Sequence, residues 1–202
     1  GYLGAINDQQ SEYLRRLDRR ARTMLALVNE LMALSRNRQR PDGECAATTE
    51  LAVLARRVQR TFQDEAAEKR ISFRVSLSGA LPDVRGRLET VEQMLENLVS
   101  NAIKYTPAEG SVDVRFSRAN GTVRIEVSDT GIGIPTAARP KLFTEFFRAE
   151  NAKAMKDGGT GLGLAIVKEI ADQLGGRIVV ESEEGAGTIF VVHLPIATAP
   201  AS

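Results

Sequence analysis

The sequence predicts an α/β fold, a two-layer sandwich in which helices cover one face of a mixed sheet, preceded by a long N-terminal bundle helix. Two observations carry this. Leu14, Leu17, Ala21, Met24, Val28 and Leu31 alternate spacings of three and four, the heptad signature of a bundled helix, and Leu25 and Met32 widen the stripe. Beyond that stripe, segments of helical pattern alternate with strand segments, two pairs of which are joined by glycine turns.

Taken in order, the bundle helix ends at the turn-rich Asn37-Arg38-Gln39-Arg40-Pro41-Asp42-Gly43, which divides the chain into an appendage, residues 1–40, and a core domain, residues 41–202. The core opens with a helix near 49–69, a strand near 71–77 and a second helix near 87–105. A hairpin near 111–129 follows, turned by Asn120-Gly121. A helix near 161–175 stops at Gly175-Gly176, and a last hairpin near 177–194 turns at Gly185-Ala186-Gly187.

Composition narrows the class. The 202 residues, 43% of them hydrophobic, are enough for one core domain and an appendage. A net charge of +1 speaks against a dedicated nucleic-acid binder, whose affinity rests on many phosphate contacts. A single cysteine, Cys45, cannot form an internal disulfide and fits a reducing compartment. No apolar run approaches the roughly 20 residues that span a bilayer, so the expectation is a cytoplasmic chain whose membrane anchor, if any, belongs to upstream sequence.

Two glycine clusters suggest the ligand. Gly158-Gly159-Thr160-Gly161-Leu162-Gly163-Leu164 opens an apolar helix, downstream of Asp129-Thr130-Gly131-Ile132-Gly133-Ile134-Pro135. Glycine lets the backbone approach a ligand closely, and a helix starting behind such a turn aims N–H groups at an anion, for which phosphate is the natural guest. No Lys-Ser or Lys-Thr follows the glycines, and Ile166 stands where a dinucleotide fingerprint needs its third glycine, so both common phosphate-binding folds are disfavoured.

The end of the second helix, Glu96 to Pro107, carries the polar groups. Val91, Leu95, Leu98 and Ala102 form its buried stripe, while Asn97, Asn101 and Lys104 share a neighbouring one. An amide oxygen is a hard neutral ligand suited to a magnesium ion that takes most of its charge from a triphosphate, and Lys104 can meet a phosphate oxygen. Val123, Ile125, Val127 and Asp129 share one parity along a strand, so the Asp129 carboxylate continues an inward row and needs a partner there.

These residues resemble the ATP-binding domain of a sensor histidine kinase, within the superfamily that includes gyrase, MutL and heat-shock chaperone ATPases. Glu96–Pro107 is similar to its N box, Asp129–Pro135 to its first glycine box, Leu142–Ala152 to its F box and Gly158–Leu164 to its second glycine box, in the family's order. The resemblance implies a kinase that binds ATP and Mg2+ and transfers the γ-phosphoryl group to a histidine. It makes Asn101 the metal ligand and, with Asn97 and Lys104 beside the phosphates, a member of the catalytic group, and it lays Tyr105 against adenine or ribose. Asp129 would read the adenine amine. Gly131, Gly133 and Ile134 of the first glycine box join the ATP site, as do Phe147 and Arg148 of the F box. So do Gly159, Thr160, Gly161, Leu162, Gly163 and Leu164 of the second. The polar stretch from Arg148 to Asp157 would be a lid offering Arg148, Lys153 and Lys156 to the γ-phosphate, and Phe143, Phe146 and Phe147 would be anchors in a core or an interdomain seam.

One position separates kinases from ATPases in this superfamily. The ATPases are expected to carry a glutamate one turn before the metal-binding asparagine, to take a proton from water. Here that residue is Asn97, and an amide is no base; Glu96 is rotated by about 100° on the helix. The pocket therefore reads as one that holds ATP and leaves its γ-phosphate for another acceptor. An ATPase using Glu96, or a noncatalytic nucleotide sensor, are the rival readings.

The acceptor is where the chain departs from the resemblance. Its only histidine, His193, alternates with Phe190, Val192 and Leu194 in a strand and is expected on the opposite sheet face. Gly1-Tyr2-Leu3 resembles the stretch about three turns beyond a phosphoacceptor, so residues 1–40 would be a partial dimerisation hairpin lacking its histidine, with the heptad-striped helix as its second helix. The implied partners are a second copy, through these helices, and a response regulator, for which the solvated arginines Arg15, Arg16, Arg19, Arg20 and Arg22 offer one face.

Overall fold

The structure, a computed structural model, describes residues 47–155 and 159–197 together with scattered positions between 7 and 32. The domain break at 37–43, Cys45, Leu31, the five arginines of the appendage, Gly1 to Leu3, Lys156, Asp157 and Gly158 lie outside the described residues. The described positions of the appendage from Gln10 to Met32 are helical, and Leu14, Leu17, Met24, Leu25, Val28 and Met32 are all exposed.

The core domain runs β1 (Thr48–Thr49), α1 (Leu51–Glu68), β2 (Ser72–Leu77), β3 (Val84–Arg85), α2 (Leu88–Tyr105), β4 (Ser111–Ala119) and β5 (Thr122–Asp129). A 3-10 turn at Thr136–Lys141 and a short helix α3 (Glu150–Lys153) lead to α4 (Gly163–Gln173), β6 (Arg177–Glu183) and β7 (Gly187–Pro195). One sheet has the order β2-β4-β5-β7-β6, parallel only at β2 with β4, so it is mixed as the sequence predicts. The hairpin between β4 and β5 turns where expected, with Asn120 and Gly121 both at positive φ, as a type I′ turn requires.

The sheet is two-faced because its strands alternate. Val112, Val114 and Phe116 of β4, Val123, Ile125 and Val127 of β5, and Val192 and Leu194 of β7 are buried on the helical side. Against them α1 lays Leu54, Val58 and Phe62, α2 lays Val91, Leu95, Leu98 and Ala102, and α4 lays Ile166 and Ile170. The other face carries ion pairs, Arg74 with Asp113 at 3.0 Å and Arg115 with Glu126 at 3.1 Å, and Arg124 also pairs with Glu126. His193 sits on that charged side, where burial and then the Arg177 and Arg124 charges lower its pKa.

Three elements were not legible in the sequence. The β1–β3 ladder is two residues per strand and exists because Val84 is bridged both to Thr49 and to Ile196, partners far away in the chain. The 3-10 turn and α3 are too short to show a period. Helix α4 begins at Gly163 rather than near 161, so Gly159 to Leu162 precede it as a bend, with Gly161 at φ +79 and Leu162 already in the αR region.

Candidate nucleotide-binding site

A cavity of about 420 Å³ lies between α2 and the segment that runs from the 3-10 turn to α4. Its floor comes from α2. Asn97, Ser100, Asn101, Lys104 and Tyr105 line it, all from the side of the helix that the buried stripe leaves free. Asn97 donates through Nδ2 to the Gln93 carbonyl at 2.9 Å, which leaves its Oδ1 for the cavity side. The C-terminal turn is held from α1, where Lys69 Nζ donates to the Ile103 and Lys104 carbonyls at 2.7 and 3.1 Å. A cation on the last carbonyls of a helix suits its dipole.

One end of the cavity is built by β5 and the first glycine cluster. Asp129 closes the inward row of Val123, Ile125 and Val127, and its Oδ1 accepts the Gly131 N–H at 2.8 Å. Burial raises this carboxyl to about pKa 6, against the opposing pull of the Gly131 and Thr188 backbone N–H groups. Ile132 N–H donates to the Tyr105 carbonyl at 3.1 Å, tying the glycine turn to the end of α2. Gly133, at φ +63, passes so close to β6 that a Cβ would sit 1.9 Å from the Glu183 carbonyl oxygen. Only glycine fits there.

The other end is built where the second glycine cluster crosses α2. A Cβ on Gly163 would lie 3.0 Å from Asn97 Oδ1, and one on Gly159 only 2.7 Å from Lys104 Nζ. Motifs some sixty residues apart in the chain thus meet face to face. Asn97 lies eight residues before Tyr105, about 12 Å along the helix at 1.5 Å per residue, with Asn101 midway between them, so the Asn97 amide is set apart from the end where Asp129 stands.

Most of the residues singled out in the sequence line this one space, but not all. Leu162 is 1% exposed and its side chain joins the core, with its N–H on Thr160 Oγ1 at 3.2 Å. Gly131 supports Asp129 from behind without lining the cavity. Of the lid cations, Arg148 lines the cavity and donates to the Ala152 carbonyl at 2.8 Å, whereas Lys153 is turned to Glu150 at 2.7 Å. Phe143 packs on the core and Phe147 lines the cavity, but Phe146 is 61% exposed with φ +61. Glu96 is not among the lining residues; burial, and then Glu92, raise its pKa.

Sequence reasoning missed Leu142, Asn151, Thr188 and Phe190 in the lining. Thr188 enters because β7 pairs Thr188 with Asp129, a register that no local pattern reveals. Asn151 enters by donating to the Gly133 carbonyl at 3.0 Å.

Residues 86–198, which span the helix, the carboxylate and both glycine clusters, match the family of histidine kinase-, DNA gyrase B- and HSP90-like ATPases. The chain belongs to this family. Its similarity extends through 96% of the chain, at 33% identity, to the circadian input-output histidine kinase CikA of Synechococcus elongatus. Over 98% of the chain it is 34% identical to the sensor histidine kinase AruS of Pseudomonas aeruginosa. It covers 26% and 20% of these two relatives. A crystal structure of full-length ShkA in complex with AMPPNP superposes on 98% of the chain with a TM-score of 0.79 at 32% identity, the chain covering 41% of ShkA. The architecture described above is therefore shared with ShkA.

Proposed function

We propose that the cavity binds magnesium-ATP and that the chain is the catalytic portion of a sensor histidine kinase, which passes the γ-phosphoryl group to a histidine imidazole on its dimerisation helices. One observation carries the choice of kinase over ATPase. Among the described residues lining the cavity, Asp129 is the only carboxylate, and it stands by Tyr105, at the end of α2 away from Asn97. No base is placed to take a proton from water beside the phosphates, and Glu96, the rival candidate, lies outside the lining.

The chemistry left to the protein is positioning and charge neutralisation. Asp129 accepts from the adenine amine, Tyr105 lies beside the nucleoside, and Lys104 and Arg148 meet phosphate oxygens. The donor set fits magnesium. Among the described residues no group of three His, Cys, Asp or Glu side chains could hold a metal, so the ion would rest on the Asn101 amide, with Asn97 nearby, and on the triphosphate itself. Bound there, it would neutralise charge building on the phosphoryl oxygens. The exposed stripe of the appendage, Leu14, Leu17, Met24 and Val28, supports a dimer through these helices, and a response regulator would take the phosphoryl group onward. No described helix is long and apolar enough to cross a membrane, and we place this portion on the cytoplasmic side.

The test is phosphotransfer in trans. Mixed with a separate histidine-bearing helical hairpin and ATP, the chain is expected to label the hairpin with acid-labile phosphate. ATP turnover without labelling, abolished by Glu96→Gln, would favour the ATPase; ATP binding with neither labelling nor turnover would favour a sensor module.

A further inference from the structure

Asn151 lies in α3, above the first glycine cluster, and one half of its amide is accounted for. Nδ2 donates to the Gly133 carbonyl at 3.0 Å, a contact that only the NH₂ end can make. Oδ1 is thereby turned the other way, buried and without a hydrogen-bond partner among the described residues, on a side chain that lines the cavity. A buried acceptor left unmatched is costly, and such groups in folded proteins point to something that is bound there.

The sign of the orphan group decides which part of a ligand it faces. A triphosphate at neutral pH offers acceptors, which suit Lys104, and Arg148 with its own buried, unpartnered Nε. It has no hydrogen to give an amide oxygen, and the metal an amide oxygen could otherwise hold is assigned to Asn101, whereas the tie to Gly133 sets Asn151 beside the glycine cluster that supports Asp129. The donors of ATP are all on its nucleoside half: the two amine hydrogens of adenine, one of which Asp129 would accept, and the ribose hydroxyls. We infer that Asn151 is a specificity-determining residue of the nucleotide site, its Oδ1 accepting a hydrogen from the nucleoside half while its Nδ2 anchors α3 to Gly133. This rests on the reading that the cavity holds ATP. It adds a second reader of the nucleoside, opposite in the chain to Asp129 and carried by the segment that crosses the cavity rather than by the sheet.

The experiment is a set of competition titrations on the whole chain with ATP, 2′-deoxy-ATP, 3′-deoxy-ATP and purine riboside triphosphate, which lacks the amine. Asn151→Ala is expected to weaken ATP roughly three- to tenfold, the range for losing one neutral hydrogen bond. One analogue, the one missing the hydrogen that Oδ1 accepts, should bind the wild type and Asn151→Ala equally, while the others weaken as ATP does. Which analogue it is separates amine from ribose. Asn151→Asp retains an acceptor and loses the donor to Gly133; its added charge weakens every triphosphate alike, so the ratio between ATP and that same analogue should be retained. If Asn151→Ala weakens all four nucleotides by one common factor, or none of them, the inference falls while the ATP site stands. If the wild type binds none of the four, both fall together.

Discussion

The two walls of the cavity are made differently. The wall formed by α2, the end of β5 and the first glycine cluster is stitched into the sheet by main-chain bonds. Thr130 N–H reaches Ser111 at 3.1 Å, Ile132 reaches Tyr105 at 3.1 Å, and Gly185 reaches Ile132 at 2.8 Å. Among the described residues of the facing wall, Phe147 to Met155 and Gly159 to Leu164, the main-chain bonds are local, such as Lys153 to Ala149 at 3.0 Å, and the tie to the first glycine cluster is a side chain, Asn151 to Gly133. The difference teaches where recognition and chemistry can reside. The proposed purine reader, Asp129, needs a fixed wall, whereas cations that would meet a phosphoryl group in transfer are better carried by a wall that opens at low cost.

The largest effect should come from glycines placed on the two walls. Gly133→Ala drives a Cβ into the Glu183 carbonyl at positive φ and should cost roughly 2 to 4 kcal/mol, lowering the thermal midpoint by roughly 5 to 15 °C. Gly159→Ala meets only the movable tip of Lys104, so its midpoint should stay within about 2 °C while ATP affinity drops roughly tenfold. Equal melting of the two variants would erase the distinction between the walls.

Next comes Asn101→Ala, which removes an amide from the cavity side of α2 and should leave the midpoint nearly unchanged. Magnesium-dependent nucleotide affinity should fall by about tenfold or more in equilibrium dialysis, with little change in the metal-free value. A loss of the same size with and without magnesium would move the metal away from this residue.

Asp129 sharpens the comparison through pH. Its carboxyl, lifted by burial from 3.8 to about 6, must be ionised to accept from an adenine amine, so affinity should rise as pH climbs through about 6 and level above it. Asp129→Asn should bind roughly tenfold more weakly near pH 8 and about equally near pH 5. Taking the ratio of the two proteins cancels the titration of the nucleotide. Folding runs the other way: the raised pKa means the empty chain loses stability as pH rises from about 4 to about 6, a loss absent in Asp129→Asn. Parallel binding curves for the two proteins would deny Asp129 its role.

The smallest effect belongs to Lys69, which caps α2 from outside the cavity. Lys69→Met should cost about 1 kcal/mol in urea unfolding, with Lys69→Arg recovering part of it.

Much of the fixed wall could be read in the sequence, and the physical reason is periodicity. Val91, Leu95, Leu98 and Ala102 announce which side of α2 is buried and hence which side offers Asn97, Asn101 and Lys104. The parity of Val123, Ile125 and Val127 likewise turns Asp129 inward. The crossing wall has no period to read. Nothing local tells that Phe147 faces the cavity while Phe146 is exposed, or that Leu162, set between glycines, gives its side chain to the core. Asn151 was invisible for the same reason, since its partner carbonyl lies eighteen residues earlier.

Calorimetric titration of the folded chain with a nonhydrolysable ATP analogue, with and without magnesium, meets the central claim most directly. The account predicts one site per chain, tighter with magnesium than without it and abolished for a guanine analogue. Absence of heat with the adenine analogue in the presence of magnesium would contradict it.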